Sequence, residues 1–129
     1  MTLNMTKSIE NDRFAAYNGI KLVDIKPGFA VAEMKINENH LNGVDLVHGA
    51  AIFSLADYAF AAASNSRGVV TVSVNASISY FKSPKGPRLV AEAKEISSSK
   101  RLCSYNINIF DESNELVAQF TGTGYKKSN

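Results

Sequence analysis

The stretch GAAIFSLADYAFAAAS, Gly49–Ser64, decides the fold. Ile52, Phe53, Leu55, Ala56, Ala59, Phe60 and Ala63 cover well over half of its helical circumference, and a helix so apolar belongs inside something. After it the texture changes to strands, over residues 69–82, 88–96, 101–110 and 115–125, with short turn-forming breaks at 83–87, 97–100 and 111–114. Links that short predict an antiparallel meander. In the first strand Val70, Val72, Val74, Ala76, Ile78 and Tyr80 alternate with Thr71, Ser73, Asn75, Ser77 and Ser79, the pattern of a half-buried strand with one apolar face. Ahead of the helix, residues 20–26 and 29–36 are β-leaning runs on either side of Pro27-Gly28, a hairpin, and residues 37–47 are a polar connection. Residues 8–17 (SIENDRFAAY) read as a short helix stopped by Asn18-Gly19. The economical packing is an α+β fold, one antiparallel sheet curled round the long helix, with all 129 residues in a single domain.

Charge and cysteine usage narrow the function. The chain carries 14 Lys+Arg against 12 Asp+Glu, a formal net charge of +2, which lacks the concentrated basic character of a nucleic-acid binder. The lone Cys103 can form no internal disulfide, and with only His40 and His48 beside it a Cys/His zinc site falls one ligand short of four. No segment approaches the roughly 18 apolar residues of a membrane span, and residues 1–13 lack an apolar signal core. A soluble, reduced, cytoplasmic protein without metal or redox cofactor is the expectation.

Inside the long helix, Asp57 does not fit its surroundings. A carboxylate buried there without partners costs several kcal/mol, a large share of a small domain's stability of about 5–15 kcal/mol. Two readings stand. Ser54, Tyr58, Ala61 and Asn65 mark a narrow wetter stripe with Asp57 on its edge, or Asp57 is held in a semi-dry pocket as nucleophile or general base. The helix start supplies a complementary half. Its first-turn N–H groups lack intrahelical acceptors, and Gly49 lets a ligand carbonyl approach them, although His48-Gly49 is also an ordinary cap. Gly49 and Asp57 are eight positions apart, roughly 12 Å along the axis at 1.5 Å per residue, too far for one side chain to span easily. Two helices packed antiparallel about a two-fold axis near residue 53 bring residue 49 of one chain level with residue 57 of the other, so a site between subunits is expected.

Residues 42–60, NGVDLVHGAAIFSLADYAF, closely resemble the signature of the hotdog-fold acyl-CoA thioesterases of the PaaI (phenylacetic acid degradation) type, in the 4-hydroxybenzoyl-CoA thioesterase superfamily. The likeness continues through AAASNSRG (residues 61–68) and Val72-Ser73-Val74-Asn75 into Tyr80. The resemblance implies that Asp57 acts as nucleophile or base on the thioester and that Gly49 gives its backbone N–H to the carbonyl oxygen. It further implies that Asn42 and His48 position thioester or water, that Ser73 assists, and that the site is shared across a homodimer, usually within a homotetramer. The family usually has a second glycine where this chain has Ala50. Lys82, Lys85, Arg88, Lys100 and Arg101 cluster around two turns and are the candidates for the coenzyme A phosphates.

The expected activity is hydrolysis of an acyl-CoA of aryl-acetyl or medium-chain type. A hotdog hydratase or dehydratase is a rival, although the proline-rich histidine motif of the acyl-carrier-protein dehydratases is missing. A non-catalytic acyl-CoA sensor is another, and such sensors usually carry an added DNA-binding segment for which the short amino-terminal helix is too little.

Overall fold

The computed structural model describes residues 5–127. Two short helices, α1 (Met5–Glu10) and α2 (Arg13–Tyr17), lead into the hairpin β1 (Ile20–Lys26) and β2 (Phe29–Lys35). The long helix α3 (Gly49–Ser64) follows, and then β3 (Thr71–Tyr80), β4 (Arg88–Ser98), β5 (Leu102–Phe110) and β6 (Leu116–Lys126). The six strands form one antiparallel sheet in the order β1-β2-β4-β5-β6-β3, curled round α3 as the hotdog resemblance implies.

Small side chains on the sheet let the helix sit close. Ala30 pairs with Ala93 and Ala32 with Ala91 across β2 and β4, all four fully buried beneath α3. On the other side Phe60 descends between Tyr105 and Phe120, at ring-centroid distances of 5.7 and 6.0 Å. Room for that ring is made by Gly122, where a Cβ would stand 2.9 Å from Phe60. The single hydrogen of the Tyr105 hydroxyl is shared between the Ala63 carbonyl (3.2 Å) and Glu95 (3.0 Å), and Glu95 in turn pairs with Arg67, so the carboxyl end of α3 is clamped to the sheet.

Three expectations are corrected. The helix over residues 8–17 is two, because the Asp12 carboxylate accepts the Ala15 N–H (3.0 Å) and starts α2 afresh. Secondly, β3 does not continue into a meander with β4. Residues 81–87 cross the end of the sheet, held there by Phe81 N–H to Val117 carbonyl (2.8 Å) and Lys85 N–H to the Asp111 carboxylate (3.0 Å), so that β3 lies beyond β6 at the edge. Thirdly, β3 is not half-buried. Only Thr71 is buried along it, and Val72 and Val74 stand 38% and 57% exposed.

A bulge in β3 has a consequence for the site. Ser73 pairs with Gly124 and Asn75 with Thr123, leaving Val74 as the extra residue. Directly paired residues share a face, so Ser73 lies on the helix-facing side with Ala76, Ile78 and Tyr80, while Val72 turns outward with Tyr125. Unbroken alternation puts Ser73 on the opposite face from these three; one inserted residue reverses that.

Candidate active site

The loop before α3 is folded tightly on itself. Leu41 and Val47 form an isolated bridge, the His48 N–H donates to the His40 carbonyl (2.7 Å), and Asp45 takes a left-handed backbone conformation at φ 61°. Asn42 organises the turn: its side-chain oxygen accepts the N–H groups of Val44 (3.0 Å) and Leu46 (3.1 Å). Beneath it His40 is buried, its Nδ1 accepting the Asn37 N–H (3.1 Å) in a reciprocal cap. The loop therefore delivers His48 to the helix start in a fixed pose.

His48 satisfies most of the first turn by itself. Its Nδ1 accepts the Ala50 N–H (2.9 Å), and its carbonyl accepts Ala51 (3.0 Å) and Ile52 (3.3 Å). With Nδ1 engaged as acceptor, Nε2 is the ring nitrogen left free of the cap. The donor left over is the Gly49 N–H, at the positive end of the 16-residue α3. Tyr80 closes the other side of this residue: its hydroxyl donates to the Gly49 carbonyl (3.0 Å), and a Cβ at Gly49 would meet its ring at 3.2 Å. In the sequence Tyr80 stands out only as the residue at which the family likeness in this strand ends.

Asp57 lies on the face of α3 that the sheet does not cover, with Ala50 and Ala61 exposed and Phe53 and Ser54 half-buried along the same face. The expected wet stripe is only partly present. Tyr58 is buried with its hydroxyl toward the Ile9 carbonyl (3.4 Å), and Asn65 is buried with its amide bonded both ways to the Thr71 backbone. Asp57 shares a cleft of about 260 Å³ with Phe14, Ile20, Phe53 and Ala61, among others. Burial pushes its carboxyl above the ordinary carboxylate value, and the Asp12 carboxylate pushes it further the same way. Asp12, which sequence reasoning missed, is 45 positions away in the chain and reaches this cleft only through the path of α2.

A raised carboxyl has a readable sign. Were Asp57 to act as nucleophile or base, its working form would be the carboxylate, and the acid limb of the kcat/KM profile is then expected above the usual Asp range. Asp12→Asn keeps the α2 cap but removes the like charge, and should move that limb to lower pH. A limb that stays put in the variant would exclude Asp12 as a contributor.

The five candidate cations are not one cluster within the chain. Lys82, Lys85 and Arg88 lie at the end of the sheet where α3 begins, whereas Lys100 and Arg101 follow the far end of β4, about 30 Å away at the strand rise of 3.3 Å per residue. Lys82 is paired with Glu115 and Arg88 with Glu33 (2.5 Å), while the Lys85 ammonium has no ion-pair partner among the described residues. Cys103 is buried with its thiol pushed up by burial, which suits a packing residue and not a nucleophile. No group of three His, Cys, Asp or Glu among the described residues is placed to hold a metal ion, and no described helix is long and apolar enough to cross a membrane.

The model of the family described as "Thioesterase superfamily" matches residues 45–118, more than half of the chain. This chain belongs to the thioesterase superfamily. Within it, the acyl-coenzyme A thioesterase PaaI of Escherichia coli is 36% identical over 118 residues, covering 91% of this chain and 84% of that protein. The human acyl-coenzyme A thioesterase 13 is 30% identical over 119 residues, covering 89% and 84%. The solved structure of the Escherichia coli PaaI protein from the phenylacetic acid degradation operon superposes with a TM-score of 0.92 at 33% identity, over 98% of this chain and 92% of that one. The span of the family model takes in His48, Gly49, Asp57 and Ser73 and begins after Asn42, while the likeness to the PaaI structure extends over 98% of this chain.

Proposed function

We propose that the protein hydrolyses acyl-CoA thioesters to the free acid and coenzyme A, at two sites in a pair of chains. Each site is formed by the Gly49 N–H of one chain and Asp57 of the other. The observation that carries this reading is the position of Asp57: a carboxylate half-buried in an apolar cleft, on the open face of the same helix whose start keeps a free-standing amide donor. The Gly49 amide polarises the thioester carbonyl and meets the negative charge that develops on its oxygen. Asp57 then either takes a proton from the water that adds to the carbonyl carbon or attacks that carbon itself, giving an anhydride that water opens. On both routes the thiolate of coenzyme A leaves and is protonated. Ser73, on the helix-facing side of β3, and His48, with Nε2 free of the cap, are the groups fit to orient the water or the carbonyl.

Two features favour a partner chain over a solitary one. The outer edge of β3 presents unpaired backbone groups together with Val72 and Val74, a surface that folded proteins ordinarily cover. The open face of α3 carries small residues at helical spacing, Ala50, Ser54 and Ala61, which permit close helix approach, and the Ser54 hydroxyl is tied to the Ala50 carbonyl (2.7 Å). An antiparallel pair would also bring Lys82, Lys85 and Arg88 of one chain to the same end as Lys100 and Arg101 of the other, a basic setting for the phosphates of the nucleotide moiety. The test is thiol release from a panel of acyl-CoAs by the wild-type protein. Turnover of at least one member is expected; tight binding of all without release supports an acyl-CoA sensor instead, and hydration of an enoyl-CoA without release supports a hydratase.

A further inference from the structure

One contact at the start of α3 is made by a residue to which the hydrolysis described above gives no part. Tyr80, the last residue of β3, donates its hydroxyl to the Gly49 carbonyl (3.0 Å), and a Cβ at position 49 would stand 3.2 Å from both its Cζ and its hydroxyl oxygen. The space that a side chain at 49 needs is therefore filled by this ring, and glycine here accommodates Tyr80 whatever else approaches. The ring is itself held from a fixed element. Tyr80 pairs with Ala118 across β3 and β6, and the Phe81 N–H that follows donates to the Val117 carbonyl (2.8 Å). Burial pushes the phenol above the ordinary tyrosine value, so the hydroxyl keeps its proton and stays a donor. The residue as a whole is exposed and lies outside the core, so its hydroxyl can be removed without opening a cavity there.

Gly49 joins two peptide planes with different duties. The first, between His48 and Gly49, carries the N–H offered to the thioester, and it is tied to α3 through the His48 carbonyl, which accepts Ala51 (3.0 Å) and Ile52 (3.3 Å). The second, between Gly49 and Ala50, is held at both poles: its N–H by His48 Nδ1 (2.9 Å) and its carbonyl by Tyr80. Between the planes stands a Cα without a Cβ, the most pliable joint a chain offers. A donor that stabilises an oxyanion must be fixed before the charge appears, because any reorientation at that moment adds to the barrier. We propose that Tyr80 is a positioning residue for the Gly49 amide: its hydroxyl on the Gly49 carbonyl and its ring on the side-chain side of the Gly49 Cα hold this joint, so that the N–H keeps its aim as charge develops on the thioester oxygen. The proposal rests on thioester hydrolysis at this helix start. It also gives β3 a double part, since Ser73 lies on the same face of that strand.

The experiment measures kcat and KM of the wild type, Tyr80→Phe and Tyr80→Ala on the acyl-CoA that the wild type turns over fastest. Beside them it measures the Kd of a coenzyme A thioether that bears the same chain without the carbonyl oxygen. Tyr80→Phe keeps the ring and loses one hydrogen bond, so kcat is expected to fall about fivefold with KM nearly unchanged. The thioether has no oxygen for the Gly49 N–H to meet, and its Kd should stay at the wild-type value. Tyr80→Ala removes the ring as well and should lose more of kcat than Tyr80→Phe does. A kcat in Tyr80→Phe equal to that of the wild type overturns the proposal. So does a fall in kcat accompanied by weaker thioether binding, which is the signature of a site disturbed as a whole. Either result leaves thioester hydrolysis standing, whereas a wild type that releases thiol from no acyl-CoA overturns both.

Discussion

Gly49→Pro is expected to lower kcat/KM for acyl-CoA by about 10²–10³-fold while leaving the protein folded, and Gly49→Ala to cost only a small part of that. Proline at this position is unusually informative. Gly49 is the first residue of α3, where the backbone N–H has no intrahelical acceptor, so its removal breaks no helical hydrogen bond. His48 ahead of it has φ −66° and ψ 138°, the extended conformation that a residue before proline prefers, and Gly49 itself is not among the glycines with positive φ. Both variants push a Cβ toward the Tyr80 ring at 3.2 Å, and that ring is 48% exposed and able to yield. The two share the Cβ contact with Tyr80, and Gly49→Pro in addition replaces the amide proton with the ring methylene on nitrogen. Circular dichroism and a thermal melt establish that α3 survives; the ratio of the two variants' kcat/KM then reads the loss of the donor together with the methylene that takes its place. Equal activity in Gly49→Pro and Gly49→Ala would remove the amide from the mechanism.

What the sequence made legible divides along physical lines. The apolar coverage of residues 49–64 announced a helix enclosed by the sheet, and Asp57 stood out because a carboxylate in that setting costs free energy. Both are local patterns. The pairing of β3 with β6 was not legible, since the short Pro-containing link at 81–87 looks the same whether it closes a hairpin or crosses the end of a sheet, and only its bonds to Val117 and Asp111 decide. Nor was the bulge at Val74, which places Ser73 on the helix side. A bulge is one residue of slack in a ladder, visible only when the partner strand is known. The same holds for Asp12, since nothing in a five-residue helix announces that its cap will share a cleft with a carboxylate 45 positions away in the chain. The split of the five cations is a further case: their proximity in sequence spans a strand, and a strand separates its ends.

Mixing two inactive proteins should restore activity. Asp57→Ala is expected to lose at least about 10²-fold in turnover, and Gly49→Pro a similar amount. If each site takes Gly49 from one chain and Asp57 from the other, a dimer of one Asp57→Ala chain and one Gly49→Pro chain has one site with both defects and one with neither. Random assortment of equal amounts makes about half of the dimers mixed, each with one working site of two, so co-expressed or co-refolded chains should reach about one quarter of wild-type specific activity. The converse experiment is as decisive. A chain carrying both substitutions, assorted with an equal amount of wild type, spoils both sites of every mixed dimer, because each site then draws one defective half. The wild-type chains present should therefore fall to about half of their own activity, although none of them has been altered. A site contained within one chain predicts the opposite on both counts, no recovery in the first mixture and no loss in the second. The distance of roughly 12 Å along α3 from Gly49 to Asp57 is what forces this choice, and the two mixtures measure its outcome without any knowledge of the acyl group.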